Sequence, residues 1–241
     1  MTLIGILKGL ADIVFPPLCI ACGAVVPEEG IYFCPDCFSK IKFIRSPVCS
    51  CCGIPFAEAG EKNHACGTCL LSGPVFSAAR AVGVYEAALM DVIHKFKYGG
   101  KTAVGEKLGK LMAEFPYPDF NIADYSMIMP VPLHPVRLRQ RGFNQAVILA
   151  RQITQYFSIE LNFLTLTRVV CTDFQAGLGK AERGINVKHA FAVSDPRKIA
   201  GREIILVDDV LTTGSTVKEC ARTLLDNKAA KVAVLTLARA V

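Results

Sequence analysis

Four Cys-x-x-Cys pairs crowd into the first 69 residues of this 241-residue chain, and nothing else in the sequence restricts its fold as strongly. They are Cys19 and Cys22 in CIAC, Cys34 and Cys37 in CPDC, Cys49 and Cys52 in CSCC, and Cys66 and Cys69 in CGTC. Nine of the eleven cysteines lie between residues 19 and 69. Each pair presents two thiolates from one tight turn, and two pairs complete a tetrahedral Zn–S4 site. A segment this short has little core of its own, so bound metal supplies folding energy. The alternative is a disulfide framework, which suits a secreted chain. The N-terminus argues against secretion: it lacks a basic start, and Lys8 and Asp12 interrupt its apolar run. Leu3, Ile4, Leu7, Leu10 and Val14 fit one face of a helix instead.

A helix and zinc-ribbon-like module over residues 1–72, a larger domain over 73–241 and a cytoplasmic location are therefore expected. Two pairings are open. Sequential pairing joins Cys19, Cys22, Cys34 and Cys37 in one site and Cys49, Cys52, Cys66 and Cys69 in another. Cross-braced pairing joins the first pair to the third. Cys51 is left over and can replace a neighbour, and His64 reads as a loop residue. Cys220 falls in a helical pattern and reads as core.

Hydrophobic residues make up 52% of the chain, which excludes a disordered protein. No apolar run approaches the roughly 18 residues of a membrane span. The net charge of +6 decides little, but its placement says more. No acidic residue falls between Tyr125 and Ile159, where Arg137, Arg139, Arg141 and Arg151 lie. Upstream, HKFKYGGK adds Lys95, Lys97 and Lys101. This distribution predicts a phosphate-bearing partner. Lys97, Tyr98 and Lys101 combine charge with an aromatic face, which suits single-stranded nucleic acid.

From residue 77 onward, strand and helix patterns alternate. Strands are expected at 77–85, 125–132, 163–170, 189–193, 203–209 and 231–239. Helices are expected at 87–97, 103–115, 143–157 and 217–226. This order predicts an α/β domain with a mostly parallel sheet flanked by helices. Ligands of such sheets bind outside the carboxyl ends of the strands. Two segments fall there: the loop after Asp209 and the basic loop after Pro130. Arg137, Arg139 and Arg141 alternate, so an extended loop projects them to one side. Residues 171–186, with Gln175, Arg183 and Asn186, read as a loop able to fold over a site.

The junction IILVDDVLTTGST, residues 204–216, is the second strong signal. A greasy strand meets two consecutive aspartates and then a hydroxyl-rich loop. Thr216 and Glu219 have the spacing of a capping box, and Gly214 suits a turn. Neither explains the acidic pair. A loop entering a helix N-terminus presents free N–H groups and the positive end of the helix dipole. Thr212, Thr213, Ser215 and Thr216 add hydroxyls, and Gly214 lets the backbone come close to one phosphate. Asp208 and Asp209 then accept from vicinal sugar hydroxyls or help to hold Mg²⁺. A sugar with a phosphate on one end fits. Neither the Walker sequence nor the G-x-G-x-x-G fingerprint is present.

This junction resembles the phosphoribosyl-pyrophosphate (PRPP) motif of type I phosphoribosyltransferases over thirteen residues. The resemblance implies that Asp208 and Asp209 meet the ribose and that Thr212 through Thr216 hold the 5′-phosphate. It also places pyrophosphate at the loop carrying Arg137, Arg139 and Arg141. FPPLCIACG, HKFKYGGK, VPLHPVRLRQRGFNQAVILA and QAGLGKAERGINVKHAF together resemble the ComF family of competence proteins. That resemblance implies a type I phosphoribosyltransferase-like fold behind a small zinc-binding module. It further implies a role in natural transformation, handling incoming single-stranded DNA in the cytoplasm. Two other functions stay open: a working phosphoribosyltransferase on a small nucleophile, and an adaptor docking a helicase or other uptake machinery.

Overall fold

The computed structural model of the chain describes residues 16–28, 30–57, 62–73, 75–100, 102–170 and 187–241. The expected N-terminal helix, Lys101 and the loop with Gln175, Arg183 and Asn186 lie outside the described residues.

The strands are β1 (Ala79–Val84), β2 (Met127–Pro130), β3 (Glu160–Leu161), β4 (Leu166–Arg168), β5 (Phe191–Val193), β6 (Glu203–Leu211) and β7 (Lys231–Arg239). Five of them form one sheet in the order β1-β7-β6-β2-β3, and every pair in it is parallel. The expected parallel sheet is therefore present. The central strands β6 and β7 are apolar along most of their length, as strands buried on both faces must be.

The helices are α1 (Pro35–Ser39), α2 (Gly67–Ser72), α3 (Ala87–Tyr98), α4 (Thr102–Glu114), α5 (Pro135–Arg141), α6 (Gln145–Phe157) and α7 (Ser215–Asp226). Side-chain alternation along β6 divides them between two faces. Ile205 and Val207 share a core with Leu89 and Ile93 of α3, Leu108 of α4 and Leu149 of α6. Ile204 and Leu206 share the other with Val217, Cys220 and Leu224 of α7. Cys220 is fully buried, as its helical pattern predicts. The chain thus leaves β2 towards one face and β6 towards the other. The crevice between those neighbouring strand ends is where an open parallel sheet binds ligands.

Two expectations need correction, and one strand was not expected. The segment 163–170 contributes no strand to the main sheet, because β4 pairs antiparallel with β5 in a separate ribbon. The two residues of β3 are too few to show any period in sequence. The strand expected to end at Asp209 continues to Leu211, because β7 runs alongside it to Arg239.

The cysteine turns pair sequentially. Residues 42–44 then cover the outer edge of β1: Ile44 N donates to Val82 O at 2.9 Å and Val84 N to Lys42 O at 2.9 Å. An otherwise exposed edge strand is protected in this way. Cys19, Ile20, Val26 and Phe33 join the core of α3 and α4, and the Lys95 ammonium donates to the Ala21 carbonyl. The second cluster is held by polar contacts. Ala79 N donates to Cys51 O at 2.7 Å. The buried Arg80 donates to Ser50 O at 3.1 Å and Pro118 O at 2.7 Å. Gly53 has φ +70°, and a Cβ there would run into the Ala79 carbonyl, so this approach requires glycine.

Candidate functional site

The site begins where β6 carries its two carboxylates past each other. Strand alternation sends Asp208 and Asp209 to opposite faces of the sheet. Asp209 is only 4% exposed. Its Oδ1 meets the Lys97 ammonium at 2.9 Å, and its Oδ2 is buried without a hydrogen-bond partner among the described residues. Asp208 Oδ1 accepts from the Asp209 amide at 2.9 Å. Burial, and then the neighbouring Asp209 charge, push the Asp208 carboxyl up to about 7, against the pull of that amide, Lys97 and Arg168. Two carboxylates on consecutive residues need positive charge nearby, and Lys97 in the last turn of α3 supplies it to Asp209.

The loop after β6 is built from its own hydroxyls. Thr213 Oγ1 and Ser215 Oγ share a hydrogen bond of 2.9 Å, and Ser215 N donates to Thr213 Oγ1 at 3.4 Å. Gly214 is the N-cap of α7 with φ +75°, and no side chain caps the helix. The expected capping box is therefore absent. Glu219 instead accepts from His189 N at 2.7 Å and from Arg222 at 2.7 Å. Those contacts occupy its carboxylate; in the first turn Ser215 N meets Thr213 Oγ1, and the amides of Thr216 and Val217 are left to an anion. Thr212 is exposed, and Thr213, Gly214, Ser215 and Thr216 are half-buried. A cleft of about 210 Å³ separates this loop from the second cysteine cluster; Cys52, Cys66, Thr68, Thr212 and Thr213 line it.

The arginine segment is a helix rather than an extended loop. Pro135 starts it, His134 Nδ1 accepts from Val136 N at 3.3 Å, and Gly142 ends it at φ +81°. Helical spacing puts Arg137 and Arg141 on one side and turns Arg139, which is exposed, away from them. Arg141 reaches two partners: it donates to Gln145 Oε1 at 2.8 Å and lies over the Tyr98 ring at 5.5 Å. The structure so joins the two basic stretches through Tyr98, itself 74% exposed. Asn144 caps α6, accepting from Ala146 N at 3.0 Å, and ties it to β2 by donating to Val131 O at 3.0 Å.

The sequence offers Lys97 as a pyrophosphate or nucleic-acid ligand without indicating a carboxylate partner. Its side chain is only 18% exposed and points inward to Asp209. Tyr85 was not singled out. Its hydroxyl lies 2.8 Å from His94 Nε2, beside Lys97 and Tyr98. Thr236, buried opposite Asp208 on β7, was also missed; its hydroxyl donates within the strand to Ala238 O at 3.2 Å.

The metal clusters are clear. The four sulfurs of Cys19, Cys22, Cys34 and Cys37 all lie within 4.8 Å of one another, and so do those of Cys49, Cys52, Cys66 and Cys69. Zn–S bonds of about 2.3 Å imply sulfur–sulfur edges of about 3.8 Å in a tetrahedron. The Cys22–Cys34 and Cys52–Cys66 separations are 3.6 Å and 3.8 Å, so both sets fit structural Zn²⁺. Burial opposes ionisation of Cys49, but amides at Cys52 and Cys66, 3.4 Å and 3.2 Å from its sulfur, help to bring the thiol down to about 6. His64 stacks on Phe56 at 4.2 Å and belongs to neither set. No helix among the described residues is long and apolar enough to cross a membrane.

Comparison with known proteins matches these two parts separately. Residues 10–70 match the double zinc ribbon domain, and residues 140–240 match the phosphoribosyl transferase domain. The chain is 32% identical over 234 residues to DNA utilization protein YhgH of Salmonella typhi, covering 93% of this chain and 97% of that one. It is 30% identical to Competence protein F of Haemophilus influenzae, covering 92% and 96%. It is 29% identical to Competence protein ComFC of Bacillus subtilis, covering 88% and 85%.

Proposed function

We propose that this chain, which belongs to the ComF family of competence proteins, binds PRPP with Mg²⁺ where β6 meets α7 and binds single-stranded DNA beside that site. The observation that carries the reading is the union of an acidic pair with an uncapped helix N-terminus across one short loop. The loop from Thr212 to Gly214 and the first turn of α7, with Ser215 and Thr216, hold the 5′-phosphate. Asp208 and Asp209 take the ribose hydroxyls. Asp209 also offers a buried, unpaired oxygen, which is the chemistry a divalent cation needs. Bound Mg²⁺ would neutralise the pyrophosphate; the chain's own part is to orient the sugar and keep its two ends apart.

The DNA reading rests on Tyr98, Arg141 and Arg139. An exposed ring under a guanidinium offers a base a stacking surface, and the neighbouring arginines offer its backbone positive charge. Likeness to Competence protein F and Competence protein ComFC supports a competence role, with DNA uptake as the setting.

A second reading, a working phosphoribosyltransferase, has one observation in its favour. A mainly apolar cavity of about 690 Å³ opens at the end of β2, with Phe143, Phe163, Arg151 and Arg168 in its wall. It is large enough for an aromatic acceptor.

Labelled PRPP and labelled single-stranded DNA, titrated across salt concentrations, test the proposal. Asp208→Ala with Asp209→Ala should abolish PRPP binding and spare DNA. Arg139→Ala with Arg141→Ala should weaken DNA of any sequence and flatten the salt slope by roughly 0.7 per lost phosphate contact. Pyrophosphate release from PRPP would favour the second reading. Loss of neither ligand in either variant contradicts the assignment of both sites.

A further inference from the structure

Lys97 is the least expected member of the site. It comes from the last turn of α3, where a lysine ordinarily reaches into solvent beside the helix dipole. Here the ammonium is folded inward, 2.9 Å from Asp209 Oδ1. The next residue, Tyr98, points outward under Arg141. The two consecutive residues thus face the sugar site and the proposed DNA strip.

Asp209 shows what the lysine achieves and what it leaves undone. The carboxylate side chain is only 6% exposed, and one oxygen is paired while the other has no partner among the described residues. Burying a carboxylate with half its acceptors unused is costly, and a single ammonium does not complete the shell. A divalent cation could take the free Oδ2, but the Lys97 ammonium on Oδ1 of the same carboxylate opposes it, because two positive charges repel at short range.

Resting on the PRPP reading above, we propose that Lys97 is the specificity-determining residue of a divalent-cation site at Asp209. It occupies the carboxylate in the free protein, so the metal alone is refused. When a pyrophosphate-bearing ligand arrives, the ammonium passes to the pyrophosphate oxygens and the carboxylate passes to the metal. Each charged group keeps a partner of opposite sign before and after the exchange. Free Mg²⁺ and sugar phosphates without pyrophosphate are both discriminated against, because neither provides the second half of the swap.

Mn²⁺ binding to the zinc-loaded full-length protein, followed by electron paramagnetic resonance, tests this with the metal alone as probe. The parent should bind Mn²⁺ weakly, and Lys97→Met should bind it at least about tenfold more tightly. Lys97→Gln retains a donor to Oδ1 and should show the same gain, which keeps the test open if Lys97→Met does not fold. Adding Asp209→Asn to either variant should remove the gain. Unchanged Mn²⁺ affinity in the folded lysine variant overturns the inference, as does a gain that survives Asp209→Asn. PRPP binding by the parent is read separately. A parent that ignores PRPP while the lysine variants gain Mn²⁺ overturns the PRPP reading and leaves the cation site standing. A parent that binds PRPP while the variants gain nothing does the reverse.

Discussion

The two four-cysteine sites share one ligand pattern and differ in how the rest of the molecule holds them. In the first, Cys19, Cys34 and Cys37 are 3%, 9% and 8% exposed and lie in the same core as α3 and α4. The metal there is backed by apolar packing. In the second, Cys49 is buried but Cys52, Cys66 and Cys69 are half-exposed. That site is attached by hydrogen bonds: Arg239 reaches Cys52 O at 2.6 Å and Cys52 Sγ at 3.5 Å. Arg239 pairs in register with Leu211, the residue before the phosphate loop. The same chemistry therefore serves as a plug for the core at one end and as a wall of the candidate site at the other.

Removing a metal ligand sharpens this contrast most. Zinc binding supplies on the order of 10 kcal/mol of folding free energy to small metal domains, so each site should collapse with the loss of one sulfur. Metal analysis should find two zinc ions per parent chain and one in either Cys22→Ser or Cys66→Ser. PRPP affinity should fall in Cys66→Ser, whose site lines the phosphate cleft, and hold in Cys22→Ser. Equal affinities in the two variants would break the distinction.

Polar docking of the second site predicts the next largest effect. Arg80→Ala removes a buried guanidinium that spans three carbonyls, at Ser50, Ala79 and Pro118. Denaturant unfolding should show a loss of about 3 kcal/mol. Gly53→Ala should cost about 2 kcal/mol, through its positive φ and its crowding of the Ala79 carbonyl.

The first site has a smaller polar tie, from Tyr32 OH to Glu114 at 3.2 Å. Tyr32→Phe should cost about 0.5 kcal/mol or less, because the contact is solvent-exposed. Burial and the Glu114 carboxylate push the Tyr32 hydroxyl up to about 12 from its ordinary 10. A raised value of this kind stabilises the protein fully below the ordinary value and loses that contribution as pH climbs through the raised one. Ionisation of Tyr32 should therefore leave stability untouched at neutral pH and erode it between 10 and 12, as ultraviolet titration of the parent against Tyr32→Phe would report.

What the sequence reveals, and what it hides, follows the range of the interaction. The Cys-x-x-Cys turns and the β6–α7 junction are local patterns, so their residue types and spacing suffice to find them. The core strands announce themselves through apolar runs bounded by turns. Lys97 escapes because its partner is Asp209, distant in sequence, and a lysine near a helix end looks the same whether it faces solvent or a carboxylate. The arginine helix had legible signals in Pro135 and Gly142, which alternation of the arginines obscured. The capping box failed because the helix starts two residues early, at Ser215 behind Gly214, which puts Thr216 inside the first turn.

Phosphorus-31 NMR of PRPP in the presence of Mg²⁺ tests the phosphate assignment most directly, because the 5′-phosphate and the pyrophosphate give separate resonances. The 5′-phosphate line should shift and broaden with stoichiometric zinc-loaded protein. In Gly214→Ala, where only the positive φ opposes a Cβ, the affinity read from that line should fall about fivefold, the equivalent of roughly 1 kcal/mol. In Asp208→Ala with Asp209→Ala the line should stay where free PRPP puts it. A 5′-phosphate resonance that the parent protein leaves sharp and unmoved contradicts the assignment.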